Sequence, residues 1–171
     1  MIHHSQPFHK GFTLVETLVA VTILVTAIVG PLYVVHKSVM ASYTARDVLI
    51  ATALSQEGVE MVRSIRDGNY LSNNGNWLAG LDVCIVDGPG DYGCTHGPVN
   101  IQACPSTGCP VLLLNTLHRY NIAAGVPTRF TRTVRIEPVS STEARVTVTV
   151  SWLTLRIPYT VRVTEELYDW Q

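Results

Sequence analysis

Phe12 to Val35 is a run of 24 almost entirely apolar residues that carries one charged side chain, Glu16. As a helix it would measure about 36 Å, enough to cross a bilayer core of ~30 Å. A carboxylate in hydrocarbon is costly and calls for a positive partner. A fold for this chain must cover a long apolar helix and answer one charge near its start.

Three readings compete. A cleaved secretory signal would use Lys10 as its basic start and Val25-Thr26-Ala27 as its cut, leaving Ile28 first. The run continues past Ala27 without a polar break, and it exceeds the ~7–15 apolar residues typical of such signals. A plain single-pass anchor explains the length and leaves Glu16 near an interface, where its cost falls. A cut between Gly11 and Phe12 explains more. It would place a new α-amine four residues before Glu16, and residues four apart are neighbours on a helix. The positive end of the helix dipole favours the same carboxylate. In a bundle, Glu16 of one subunit would meet the amine of the next and set the axial stagger.

Lys10-Gly11-Phe12-Thr13-Leu14-Val15-Glu16 resembles the class III signal of type IV prepilins and pseudopilins. The resemblance is sharp over residues 8 to 35. It implies a polar leader (1–11) that includes His3, His4 and His9, removed by a prepilin peptidase that also methylates Phe12. It further implies assembly with other pilin or pseudopilin subunits on an inner-membrane platform, after a stay in the lipid bilayer. The C-terminal domain would lie outside the cytoplasm. The pattern TLVETLVAVTIL looks like minor components more than major pilins, and Glu16 sets the chain apart from the tip subunit that lacks this residue. Two features depart from major pilins: Gly30-Pro31 stands close to the cut, and the cysteines are central.

Charged residues are 15% of the chain, hydrophobic residues 47%, and the net charge is -1. A soluble domain carries about 25% charged residues. The apolar excess sits in residues 12–35, and no basic surplus points to direct nucleic-acid binding. From residue 36 to 66 the pattern turns amphipathic, through Val39, Met40, Tyr43, Leu49, Ala53, Val59 and Val62, with Arg46 and Asp47 on a solvated face. Asp67-Gly68-Asn69 is the expected stop. Pro31 removes a backbone hydrogen bond and predicts a kink or local melting near residues 27–31.

Residues 67–127 read as an irregular region holding Cys84, Cys94, Cys104 and Cys109, with short strands at Leu81–Val86 and Val111–Leu114. An even count behind an export-like start suggests disulfides, and four cysteines allow three pairings. The closeness of Cys104 to Cys109 suits a small loop, which would leave Cys84 with Cys94. Residues 128–171 alternate with period 2: Val146, Val148, Val150 and Trp152 face one way, the threonines the other. Phe130, Val134 and Ile136 repeat the pattern, broken by Arg132 on the apolar face. The expected fold is α+β and pilin-like, a long N-terminal helix packed on an antiparallel meander.

No nucleophile elbow, phosphate loop or zinc-protease motif occurs, so no catalytic residue and no cofactor are expected. A Cys3His zinc set of Cys94, His96, Cys104 and Cys109 has non-standard spacing. The expected function is a non-enzymatic filament subunit of a type IV pilus or type II secretion-like system. The alternative is a single-pass anchored binding module, neither cut nor assembled. A DNA-uptake pilus is a third possibility, with DNA contact left to another subunit.

Overall fold

The computed structural model describes residues 11–72, 75–86, 92–97, 101–154 and 156–169. Of the leader expected at 1–11, residues 1–10, with His3, His4, His9 and Lys10, lie outside them, as do residues 73–74, 87–91, 98–100, 155 and 170–171. One helix, α1 (Leu14–Leu71), is followed by β1 (Cys94–His96), β2 (Ile101–Ala103), β3 (Val111–Leu114), β4 (Tyr120–Asn121), β5 (Val126–Ser140), β6 (Glu143–Thr154) and β7 (Ile157–Tyr168). The chain forms two compact units, Met1–Thr44 and Ala45–Gln171.

In the first unit the large apolar side chains from Phe12 to Val35 are exposed, and an 18-residue window of mean hydropathy 2.5 makes the helix long and apolar enough to cross a membrane. The helix is apolar all round here, a pattern that requires cover by lipid or protein.

In the second unit the rest of α1 packs on a seven-stranded sheet. Strand β5 organises it. One edge pairs with β6 from Thr131↔Ser151 to Glu137↔Arg145, and the other is shared by β1 at Cys94↔Val134 and β3 at Val111↔Thr131. β6 and β7 pair along their whole length. The period-2 alternation holds: Val146, Val148, Val150 and Trp152 are buried against the helix side. Trp152 stacks on Tyr159 with ring centroids 5.6 Å apart, and Pro158 sits near the start of β7.

The helix stripe that meets the sheet is Asp47, Ala51, Leu54, Ser55, Gly58, Val59 and Val62. This corrects the expected face, because Leu49 and Ala53 point to solvent. Three of the seven, Ala51, Ser55 and Gly58, are small, and at Gly58 the helix approaches the sheet closely. A Cβ at Gly58 would meet Val148 Cγ1 at 2.8 Å. The Ser55 hydroxyl donates to the Ala51 carbonyl (2.8 Å), so its burial leaves no orphan donor.

Two further expectations are corrected. The helix does not stop at Asp67-Gly68-Asn69 but runs to Leu71. Asn69 donates to the carbonyls of Trp77 (3.1 Å) and Ala79 (2.9 Å), tying the last turn to the following segment instead of ending it. Leu81–Val86 is not a strand: Asp82–Cys84 is a 3-10 turn, with a single bridge of Ile85 to Ile136. Leu81 and Cys84 are buried while Asp82 and Val83 are exposed, a spacing of three that suits a helical turn. The disulfides are Cys84–Cys94 and Cys104–Cys109. The first joins that turn to β1 inside the core; the second closes a short loop. The cysteine sulfurs of the Cys3His alternative are therefore unavailable to zinc.

Candidate processing and assembly segment

Gly11 to Thr13 precede the helix, so the Gly11–Phe12 peptide bond lies in non-helical backbone, and Phe12 is 81% exposed. Thr13 starts the helix. Its hydroxyl accepts from the Glu16 amide (3.2 Å), and its carbonyl accepts from the Thr17 amide (3.2 Å). Threonine followed three residues later by glutamate is the spacing of a capping box, in which the cap side chain satisfies an amide that the helix leaves unpaired. The same spacing puts the Glu16 carboxylate in the first turn, where the helix dipole favours it.

The other polar side chains of this stretch are satisfied locally. Thr17 donates to Leu14 O (2.9 Å), Thr22 to Leu18 O (2.8 Å) and Thr26 to Thr22 O (3.0 Å). Such back-bonding lets a hydroxyl sit in apolar surroundings without an unmade hydrogen bond. The Glu16 carboxylate has no partner among the described residues. Gly30 and Pro31 lie inside α1, which is continuous through them. Pro31 supplies no amide to the Ala27 carbonyl.

Charges in the second unit are treated differently. Arg132, which breaks the apolar alternation of β5, is fully buried. Its Nη1 donates to Glu57 Oε2 (2.8 Å) and to the Leu54 carbonyl (3.3 Å), and its Nη2 to the His96 carbonyl (2.7 Å). One guanidinium thus joins helix, β5 and β1. Burial pulls it below its ordinary range, and Glu57 opposes that. The neighbouring His96 is held down to about 4, first by burial and then by the Arg132 charge, so its ring is neutral. Asp47, expected on a solvated face, is buried and accepts from Arg129 Nη1 (2.9 Å) and the Thr154 hydroxyl (3.2 Å). The inward parity of Arg132 was a signal in the sequence. The pairings of Asp47 were not, because their partners lie 82 and 107 residues away.

Gly11 and Phe12, expected at the cut, and Glu16, expected to set the register, therefore lie together at and just before the start of α1. The cysteines lie in the second unit and serve its packing. Comparison with known proteins adds one match: residues 8–30 fit the family model described as the prokaryotic N-terminal methylation motif. No curated protein and no solved structure matches the chain at a significant level. The chain carries, at residues 8–30, the class III signal peptide found in type IV pilin and pseudopilin precursors.

Proposed function

We propose that the chain is a minor pilin or pseudopilin. A prepilin peptidase cuts between Gly11 and Phe12 and methylates the Phe12 amine. The protein waits in the inner membrane with its β-domain outside the cytoplasm. It then packs through α1 with other subunits, on a membrane assembly platform, into a type IV pilus or type II secretion-like filament. The role is structural rather than catalytic. Gly30-Pro31 is the weakest point of the helix and the place where it would bend during assembly.

The observation that carries this reading is the methylation motif at residues 8–30, set on a helix whose apolar surface is uncovered from Phe12 to Val35. The Glu16 carboxylate supports it. With no partner among the described residues, it could take the Phe12 amine of a neighbour, which would fix the axial register.

The test is co-expression with a prepilin peptidase, followed by intact mass and N-terminal sequencing of the membrane-bound product. A chain beginning at methylated Phe12 is expected. A chain still beginning at Met1 would favour an uncut anchor bearing a binding domain, and one beginning at Ile28 an ordinary secreted protein. Glu16→Ala should be cleaved as the parent is but enter filaments poorly; normal incorporation would remove its registry role.

A further inference from the structure

The last turn of α1, the loop at Trp77 and the end of β7 enclose a cleft of about 240 Å³. Neither the processing segment nor the buried Arg132 network uses it. Three aromatic side chains, Tyr70, Trp77 and Tyr168, line it together with Leu71. Its volume falls below the ~300–1,000 Å³ of sites for drug-sized ligands, so it suits a small headgroup.

The polar edges of two of the rings are engaged within the protein. Trp77 Nε1 donates to the Ser141 carbonyl (3.2 Å), and the Tyr168 hydroxyl donates to Glu166 (3.2 Å). With those edges engaged, Trp77 and Tyr168 offer a ligand ring surface more than hydrogen-bond donors. The cation of the cleft is also engaged: Arg66 holds Asp67 through Nε (2.9 Å) and Nη2 (2.8 Å). The remaining charge is Asp169. Its amide donates to the Thr142 carbonyl (2.9 Å), and its carboxylate has no ion-pair partner among the described residues. The cleft therefore presents aromatic faces and one net negative charge.

That combination selects a cation with an apolar skin. Ring faces attract positive charge through their quadrupole, and they do so best when the cation is weakly hydrated. A primary ammonium is strongly hydrated, so ring surface repays its desolvation less well than it repays that of a methylated cation. We propose that the cleft binds a quaternary ammonium group, of the kind carried by choline and its phosphate esters. Tyr70 and Trp77 supply the ring faces, and Asp169 supplies the counter-charge.

The full-length chain in maltoside detergent would be titrated with choline chloride and with its neutral carbon isostere, 3,3-dimethylbutanol, by calorimetry. Saturable choline binding is expected, with the isostere about tenfold weaker. Tyr70→Ala and Trp77→Ala should each weaken choline binding about tenfold with an unchanged circular dichroism spectrum. Trp77→Phe guards against a folding defect and should retain most of the affinity. Equal binding of the isostere would overturn the proposal, as would a site that takes free arginine and ignores choline, or the absence of saturable binding. Phosphocholine and monomeric dodecylphosphocholine then separate the sources. Equal affinities point to a soluble or glycan-borne headgroup, and a preference for the lipid form points to a membrane surface.

Discussion

The two parts of α1 handle charge in opposite ways. From Ala45 onward the helix meets a sheet, and the charges buried there are answered within the chain: Arg132 by Glu57, Asp47 by Arg129 and Thr154. In the apolar stretch before it, Glu16 stands among exposed aliphatic side chains with no partner among the described residues. A folded domain can bury an ion only if it also supplies the counter-ion and hydrogen bonds. A helix whose cover comes from lipid or other chains leaves that supply to its surroundings.

The contrast breaks most sharply at Arg132, which is fully buried while its partner Glu57 is half exposed. Glu57→Gln would remove the counter-charge of the buried guanidinium and should cost about 3 kcal/mol in denaturant unfolding. Arg132→Met removes the charge and keeps the volume, so it should be much milder, or even stabilising. Equal losses from the two variants would mean that packing, not charge, is what matters there.

His96 gives the next effect. Its folded value of about 4 lies below the ordinary 6.5, so the unfolded chain binds the extra proton between those limits. Stability is then full above pH 6.5 and declines as the pH falls towards 4, by about 3 kcal/mol in total. The decline between pH 6.5 and 5, above the ordinary carboxylate range, should flatten in His96→Gln. A slope that persists in that variant would assign it to another group.

Gly58→Ala is smaller and sharpens the packing side of the comparison. The added methyl gains about 1 kcal/mol of helix propensity but meets Val148 at 2.8 Å, and overpacking costs about 1–3 kcal/mol. A net loss near 1 kcal/mol is expected, with Val148→Ala restoring part of it. The smallest effect belongs to Glu16→Gln. It should leave the unfolding free energy of the β-domain within about 0.5 kcal/mol of the parent, because the Glu16 carboxylate has no partner among the described residues. A larger shift would show that the two parts of the helix are energetically coupled.

Much of this was legible in the sequence. Gly11, Phe12, Thr13 and Glu16 lie within six residues, so their nearness follows from the sequence, and the Thr13-to-Glu16 spacing marks the helix start. The meander of β5 to β7 was legible as well, because side chains on a strand alternate with period 2 and the valines fall on one parity. The phase of the amphipathic helix was not. Apolar residues such as Leu49 and Ala53 suggested one face, but the sheet selected the stripe that includes Ala51, Ser55 and Gly58, and at Gly58 even an added Cβ would meet Val148.

The sequence by itself determined the N-terminal methylation motif, the apolar helix and the alternating strands, since each rests on residues a few positions apart or on a repeating period. Only the tertiary structure decided which charges are buried and who answers them, which side of α1 meets the sheet, which of three pairings the cysteines take, and that Tyr70, Trp77 and Tyr168 share a cleft. Those outcomes depend on groups tens of residues apart being brought within a few ångströms. No local pattern encodes such distances; packing the helix on the sheet sets them.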